Sequence, residues 1–357
     1  MGSIGTSMVQ ENKPWRETPL VESYALSKAA GCRIFLKLEN LQPSGSFKSR
    51  GIGNLMLSHL SKAADASKIH FYSSSGGNAG LACVHAARTL QHPATVVVPL
   101  STKPLMIARL KAAGAHDVIQ HGASWKEADA YLREVVMIKD EGGVYIPPFD
   151  HPEIWNGNAT LVSEIGYQLN GEKPDALICS VGGGGLFSGL MQGLDEMGWP
   201  DMPVLAMETK GAESLHASLK AGELVTLPGI SSLATSLGAT RVAEKAFEYG
   251  KRNNVKSVVL EDKEAAMGCW RLADDERLMV EMACGVNAAL CYEGRLQKVL
   301  GQALNKESKV VIILCGGSNV TVEMLSTWRE EFGAVESELP QNSMVPSAQS
   351  APNGVAA

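Results

Sequence analysis

The sequence predicts an α/β fold of open, twisted sheets flanked by helices. Short runs rich in Val, Ile and Leu alternate with stretches of helical periodicity. Several of the runs are apolar without a break, as in strands buried on both faces of a parallel sheet. Glycine- and serine-rich segments follow several runs, where the carboxyl edge of such a sheet places its ligand loops. In chain order, the strands are expected at residues 33–38, 70–73, 95–99, 176–181, 204–208, 257–260 and 310–315. Between them, apolar residues recur at helical spacing over 80–90, 105–113, 124–141, 158–169, 186–198, 278–287 and 292–304. The stretch Tyr145-Ile-Pro-Pro-Phe-Asp-His-Pro152 is too rich in proline to continue either pattern and reads as a crossing between domains.

Composition excludes several classes. The chain has 357 residues, 45% of them hydrophobic and 20% charged, enough for a sizeable core and unlike a disordered or fibrous protein. A net charge of −6 argues against a nucleic-acid partner, which calls for a basic face. No apolar run approaches the roughly 18–20 residues of a spanning helix, so no membrane partner is expected. The seven cysteines show no metal-ligand spacing, and an odd number in a long chain suits reduced thiols and a cytoplasmic setting. The N-terminus carries no secretory signal. Met1, Gly2 and Thr6 fit a short myristoylation pattern, but residues 1–17 read more simply as a flexible leader. Residues 334–357 lose all periodicity and read as a disordered tail.

The loops after the strands carry the chemistry. Gly182, Gly183, Gly184 and Gly185 separate an apolar strand from an apolar helix. Such a loop lets the backbone approach a ligand closely, and its N–H groups at a helix N-terminus suit a phosphate. It is neither a Rossmann fingerprint nor a Walker loop, since no third glycine and no Gly-Lys-Ser/Thr follows. Lys48 lies in Pro43-Ser-Gly-Ser-Phe-Lys-Ser-Arg50, among small residues and beside the flat face of Phe47. Desolvation there lowers an amine's pKa and makes it a nucleophile or base. A lone loop lysine is usually an ordinary surface residue. A phosphate cradle with a desolvated lysine points instead to pyridoxal 5′-phosphate.

Four motifs together, Ser46-Phe-Lys-Ser-Arg50, Ser75-Gly-Gly-Asn78, the tetraglycine and Cys315-Gly-Gly-Ser318, resemble the fold-type II pyridoxal-phosphate enzymes. Within that family the chain is similar to the L-serine/L-threonine dehydratases of the serine-dehydratase type, from about residue 18 to 332. The resemblance implies two mostly parallel sheets, as in the tryptophan synthase β-like fold. A large domain would span 18–50 and 150–333, and a small one 51–149. Lys48 would hold the cofactor as a Schiff base, with Phe47 against its ring. Gly182, Gly183, Gly184, Gly185 and Leu186 would bind the phosphate through N–H groups. Asn78 would meet the ring's 3′-oxygen, and Cys315 the ring nitrogen. Ser75, Gly76, Asn78 and Ala79 would hold the substrate carboxylate. Glu208, with the carbonyls of Ala212, Leu237 and Ala239, resembles a monovalent-cation site that would take K+. Glu208 reads equally well as a buried structural carboxylate. A homodimer is the family expectation.

The activity so implied is β-elimination: L-serine to pyruvate and ammonia, L-threonine to 2-oxobutanoate and ammonia. The alternatives are a serine racemase or threonine-preferring deaminase of the same fold, or a catalytically dead relative that only binds the cofactor. Two departures stand out: Gly76 where the branch commonly has alanine, and Met282 where it commonly has proline. Gly76 is expected to enlarge the site beside the substrate. With no regulatory domain after Phe332, a catabolic enzyme is the expectation.

Overall fold

A computed structural model describes residues 13–338. In chain order the strands are β1 (Leu20–Ser23), β2 (Arg33–Leu38), β3 (His70–Ser73), β4 (Ala94–Val98) and β5 (Asp117–Gln120), then β6 (Gly143–Tyr145), β7 (Ala176–Ser180), β8 (Val204–Thr209), β9 (Val255–Leu260) and β10 (Lys309–Leu314). They form a six-stranded sheet, ordered β1-β2-β10-β7-β8-β9, and a four-stranded sheet, ordered β5-β4-β3-β6. Every pairing is parallel except that of β1 with β2. β7 and β8 are buried throughout, and β2 and β10 at all but their first residue, which is why these segments read as unbroken apolar runs.

Strand order places the site. β10 pairs on one side with β2, Val310 opposite Ile34, and on the other with β7, Val310 opposite Ala176. The loops leaving β2, β10 and β7 therefore emerge side by side, although 38, 180 and 314 are far apart in sequence. β3, interior to the smaller sheet, adds the fourth loop. One core surrounds the six-stranded sheet. A second lies under the four-stranded sheet and takes in Ile52, Leu55 and Met56 of helix Lys48–Lys62, which follows β2.

The structure corrects several expectations. β1, β5 and β6 are strands of three or four residues, all at sheet edges, too short to give a pattern. The helix expected over 124–141 is Trp125–Tyr131 followed by a π-helical turn and a 3₁₀ turn. Residues 278–281 are not helical. Helix Asp262–Glu276 stops at Arg277, whose φ is 62°, and helix Met282–Ala288 follows. Neither terminal boundary stands where it was expected. Pro14 is buried, and the Arg16 N–H donates to Gln42 Oε1 at 3.0 Å, so the packed chain begins before residue 18. Residues Val335–Glu338 are helical, Val335 is buried, and Arg271 Nε donates to Glu336 Oε1 at 2.6 Å, so the tail does not start at 334. Residues 1–12, with the myristoylation match, and 339–357 lie outside the described residues. Among the described residues no helix is long and apolar enough to cross a membrane.

Candidate active site

Lys48 is the first residue of helix Lys48–Lys62. The loop before it is zipped to the end of β10. The Phe47 N–H donates to the Cys315 carbonyl at 3.1 Å, Ser46 bridges Gly316, and the Gly317 N–H donates to the Gly45 carbonyl at 2.9 Å. Two residues on, Arg50 is fully buried and anchors the helix. Its guanidinium donates to Glu39 and, at 2.5 and 2.7 Å, to Glu164, which also accepts from buried Lys37 at 2.6 Å. The Lys48 amine donates to the Pro148 carbonyl at 2.6 Å and lies 5.2 Å from the centre of the Phe47 ring and 6.0 Å from that of Phe149. Burial strips water from the ammonium and lowers its pKa to about 8, the Cys315 thiol opposing slightly.

After β7 the tetraglycine turns the chain into helix Gly185–Glu196, and no side chain caps that helix. Its first-turn N–H groups are thus free of side-chain partners and add the positive end of the helix dipole. The spaces that side chains would need are already filled. A Cβ at Gly183 would overlap the Phe149 ring, and one at Gly184, where φ is 93°, would overlap Ala246. Protein thus packs on the side-chain side of the loop, and backbone N–H groups at an uncapped helix start suit an anion. Leu186 is buried in the core.

The loop after β3 leads into helix Asn78–Leu90, which also has no side-chain cap. The Ser75 hydroxyl accepts from the Gly77 N–H at 3.3 Å, and Ala79 is buried in the first turn. The expectation for Gly76 does not hold. A Cβ there would lie 2.8 Å from the Thr102 methyl and 3.2 Å from Val98, so the missing side chain lets the loop settle on the small sheet and does not widen the substrate space. Asn78 reaches across to the other half of the molecule. Its Nδ2 donates to Glu281 at 2.9 Å, and its Oδ1 accepts from the Ser318 N–H at 2.9 Å. Cys315 is buried at the end of β10, its sulfur 3.5 Å from Ser180 Oγ and 3.8 Å from the Ala283 carbonyl. Met282 is buried at the start of helix Met282–Ala288.

Glu208, near the end of β8, is buried and caps helix Ser214–Ala221, each oxygen accepting one backbone N–H, from Leu215 and His216, at 2.8 Å. Burial raises its pKa to about 8 against the pull of those two bonds. Ala212 is buried nearby in sequence, and the Leu237 carbonyl accepts from the Ala239 N–H at 2.7 Å. Sequence reasoning assigns no role to four residues of the site. Pro148 and Phe149 sit in the stretch read as a crossing, and Ser236 and Glu281 hold Asn78 in place. The one available signal was a glutamate inside the otherwise apolar run 280–284.

The chain is similar to known proteins of one enzyme family. The profile of the pyridoxal-phosphate dependent enzyme family matches residues 12–316. The chain is 44% identical over 319 residues to the L-serine dehydratase/L-threonine deaminase of Bos taurus, covering 89% of this chain and 95% of that protein. The crystal structure of a fungal L-serine ammonia-lyase from Rhizomucor miehei superposes with a TM-score of 0.82 at 36% identity, over 89% of this chain and 99% of that one. Maize serine racemase superposes with a TM-score of 0.77 at 25% identity, over 91% and 94%. The chain thus belongs to the pyridoxal-phosphate-dependent enzymes and, among them, to the serine dehydratases.

Proposed function

We propose that the chain is a lyase that removes water and then ammonia from L-serine, giving pyruvate, and from L-threonine, giving 2-oxobutanoate. The observation that carries this reading is the Lys48 amine, with its pKa lowered to about 8, at strand ends that lie beside an uncapped helix N-terminus. The residues fit pyridoxal phosphate: a glycine cradle whose side-chain spaces are closed and which opens an uncapped helix, an amine that can bond covalently, and a flat ring at Phe47. When bound, the cofactor supplies a conjugated system that draws electrons from the substrate's α-carbon. Lys48 would hold it, the N–H groups of residues 182–186 would take its phosphate, Asn78 would donate to its 3′-oxygen, and Cys315 would face the ring nitrogen.

This chain's residues then divide the work. The N–H groups of Asn78 and Ala79, at a helix start with no side-chain cap, suit the substrate carboxylate, with Ser75 and Gly76 beside them. The neutral Lys48 amine accepts the α-proton at Nζ and returns it to the β-hydroxyl, which leaves as water. The Cys315 thiol places no negative charge beside the ring, which favours elimination over routes through a long-lived carbanion. A monovalent cation, K+ by resemblance, belongs beside Glu208 on the same reading, with the carbonyls of Ala212, Leu237 and Ala239. Its support is a buried carboxylate whose recorded partners are backbone N–H groups.

The test is a keto-acid assay of the holoenzyme on L-serine, L-threonine and D-serine, with Lys48→Ala as control. Pyruvate and 2-oxobutanoate from the L-substrates, both abolished by Lys48→Ala, are expected. Keto acid formed by Lys48→Ala at the wild-type rate would overturn the assignment, and D-serine formed from L-serine without keto acid would favour a racemase.

A further inference from the structure

Glu281 joins the two halves of the molecule at the site, and no step above uses it. It is 4% exposed and precedes helix Met282–Ala288 as its N-cap. Its Oε1 accepts from Asn78 Nδ2 at 2.9 Å and from the Asn319 N–H at 2.7 Å, and its Oε2 accepts from the Ser236 hydroxyl. Gly317 lies so close that a Cβ there would overlap the carboxylate. Asn78 opens the helix after β3 of the four-stranded sheet, whereas Glu281, Ser236, Ser318 and Asn319 belong with the six-stranded one.

These partners fix which way the Asn78 amide points. A carboxylate only accepts, so the nitrogen must face Glu281, and the Ser318 N–H only donates, so the oxygen must face Ser318. One N–H of the amide remains, and its nearest recorded partner is the Ser236 hydroxyl at a long 3.5 Å. We infer that Glu281 is a positioning residue that acts through Asn78. By accepting one N–H of the amide, it turns the other toward the cofactor's 3′-oxygen and holds the two halves in the register that contact needs. This rests on the reading of Asn78 as a cofactor contact.

A double-mutant cycle tests it, with the full chain depleted of cofactor and pyridoxal phosphate affinity read by equilibrium dialysis. Asn78→Ala and Glu281→Ala are each expected to weaken binding about tenfold, the scale of one charge-assisted hydrogen bond, and to shift the absorption maximum of bound cofactor alike. In the Asn78→Ala background, Glu281→Ala should cost less than about threefold more, because its intermediary is gone. A full tenfold further loss in that background would overturn the positioning role and leave the cofactor reading intact. An Asn78→Ala variant with wild-type affinity and spectrum would overturn the cofactor reading, and the inference with it. If Glu281→Ala does not fold, Glu281→Asp enters the same cycle. It keeps the charge but withdraws the oxygens from Asn78 by one methylene, and the same two outcomes decide.

Discussion

Two charged residues in one helical turn, Lys48 half-buried and Arg50 fully buried, show how local surroundings set chemistry. Arg50 has two carboxylate partners, so its charge is matched in place. Lys48 has a carbonyl and two aromatic faces, which bind an ammonium less well than water does, so its pKa falls to about 8. Acylation of Lys48 in the cofactor-free chain, followed by mass spectrometry against pH, should therefore reach half its plateau near pH 8. A midpoint at the ordinary lysine value would refute the desolvated site. The sign of the linked stability follows. Between about pH 8 and the ordinary lysine value of 10.5, the unfolded chain holds a proton that the folded chain has shed, so stability rises with pH across that window. Below about 8 both states are protonated and the dependence ends. Lys48→Met should flatten this part of the stability curve.

At the scale of elements, the tetraglycine turn is defined by what packs on it. The sequence suggested that a ligand needs the glycines, but in the structure Phe149 and Ala246 need them too. Gly184→Ala must adopt a φ of 93° and displace Ala246, which should destabilise the fold by about 1–3 kcal/mol as well as weaken cofactor binding. Denaturant midpoints and dialysis of the same sample would show both, and an unchanged midpoint would mean that the loop has more room than this geometry allows. The helix Val335–Glu338 is a second such case. Ending the chain after Gly333 removes buried Val335 and the Glu336 contacts to Trp270 and Arg271, and should cost about 1–3 kcal/mol relative to ending it after Glu338. Equal melting temperatures for the two truncations would show that this helix does not contribute.

For the whole molecule, the site is a seam. The six-stranded sheet brings Lys48, Cys315 and the tetraglycine, the four-stranded sheet brings Ser75 and Asn78, and two hydrogen bonds cross between them, Asn78 donating to Glu281 and accepting from the Ser318 N–H. A ligand bound in such a seam stabilises both halves together. At free cofactor about 100 times its Kd the native state gains ~2.7 kcal/mol, so the melting temperature should rise with added pyridoxal phosphate. Lys48→Ala keeps the phosphate cradle but loses the covalent anchor, so its rise at the same concentration should be smaller. An equal rise in both proteins would place the anchor elsewhere.

The sequence by itself determined the fold class, the interior strands and the chemistry-bearing loops. Buried strands such as 176–181 and 310–315 can be read because a strand covered on both faces must be apolar at every position. The tetraglycine can be read because four consecutive glycines cost backbone entropy that a plain turn does not need, and Lys48 because it accompanies that loop. Short edge strands such as Asp117–Gln120 stayed hidden, since four half-exposed residues leave no period to detect. Only the tertiary structure decided where Gly76 points, that Glu208 caps a helix, and that Glu281 holds Asn78. For Gly76 and Glu281 the partner is distant along the chain, Thr102 lying 26 positions from Gly76 and Glu281 lying 203 from Asn78, while Glu208 meets N–H groups only seven and eight residues on, across a turn that the sequence pattern does not specify. Sequence pattern reports burial and local conformation. Which groups meet across a cleft is set by strand order, and β10 lying between β2 and β7 follows from how the whole chain packs.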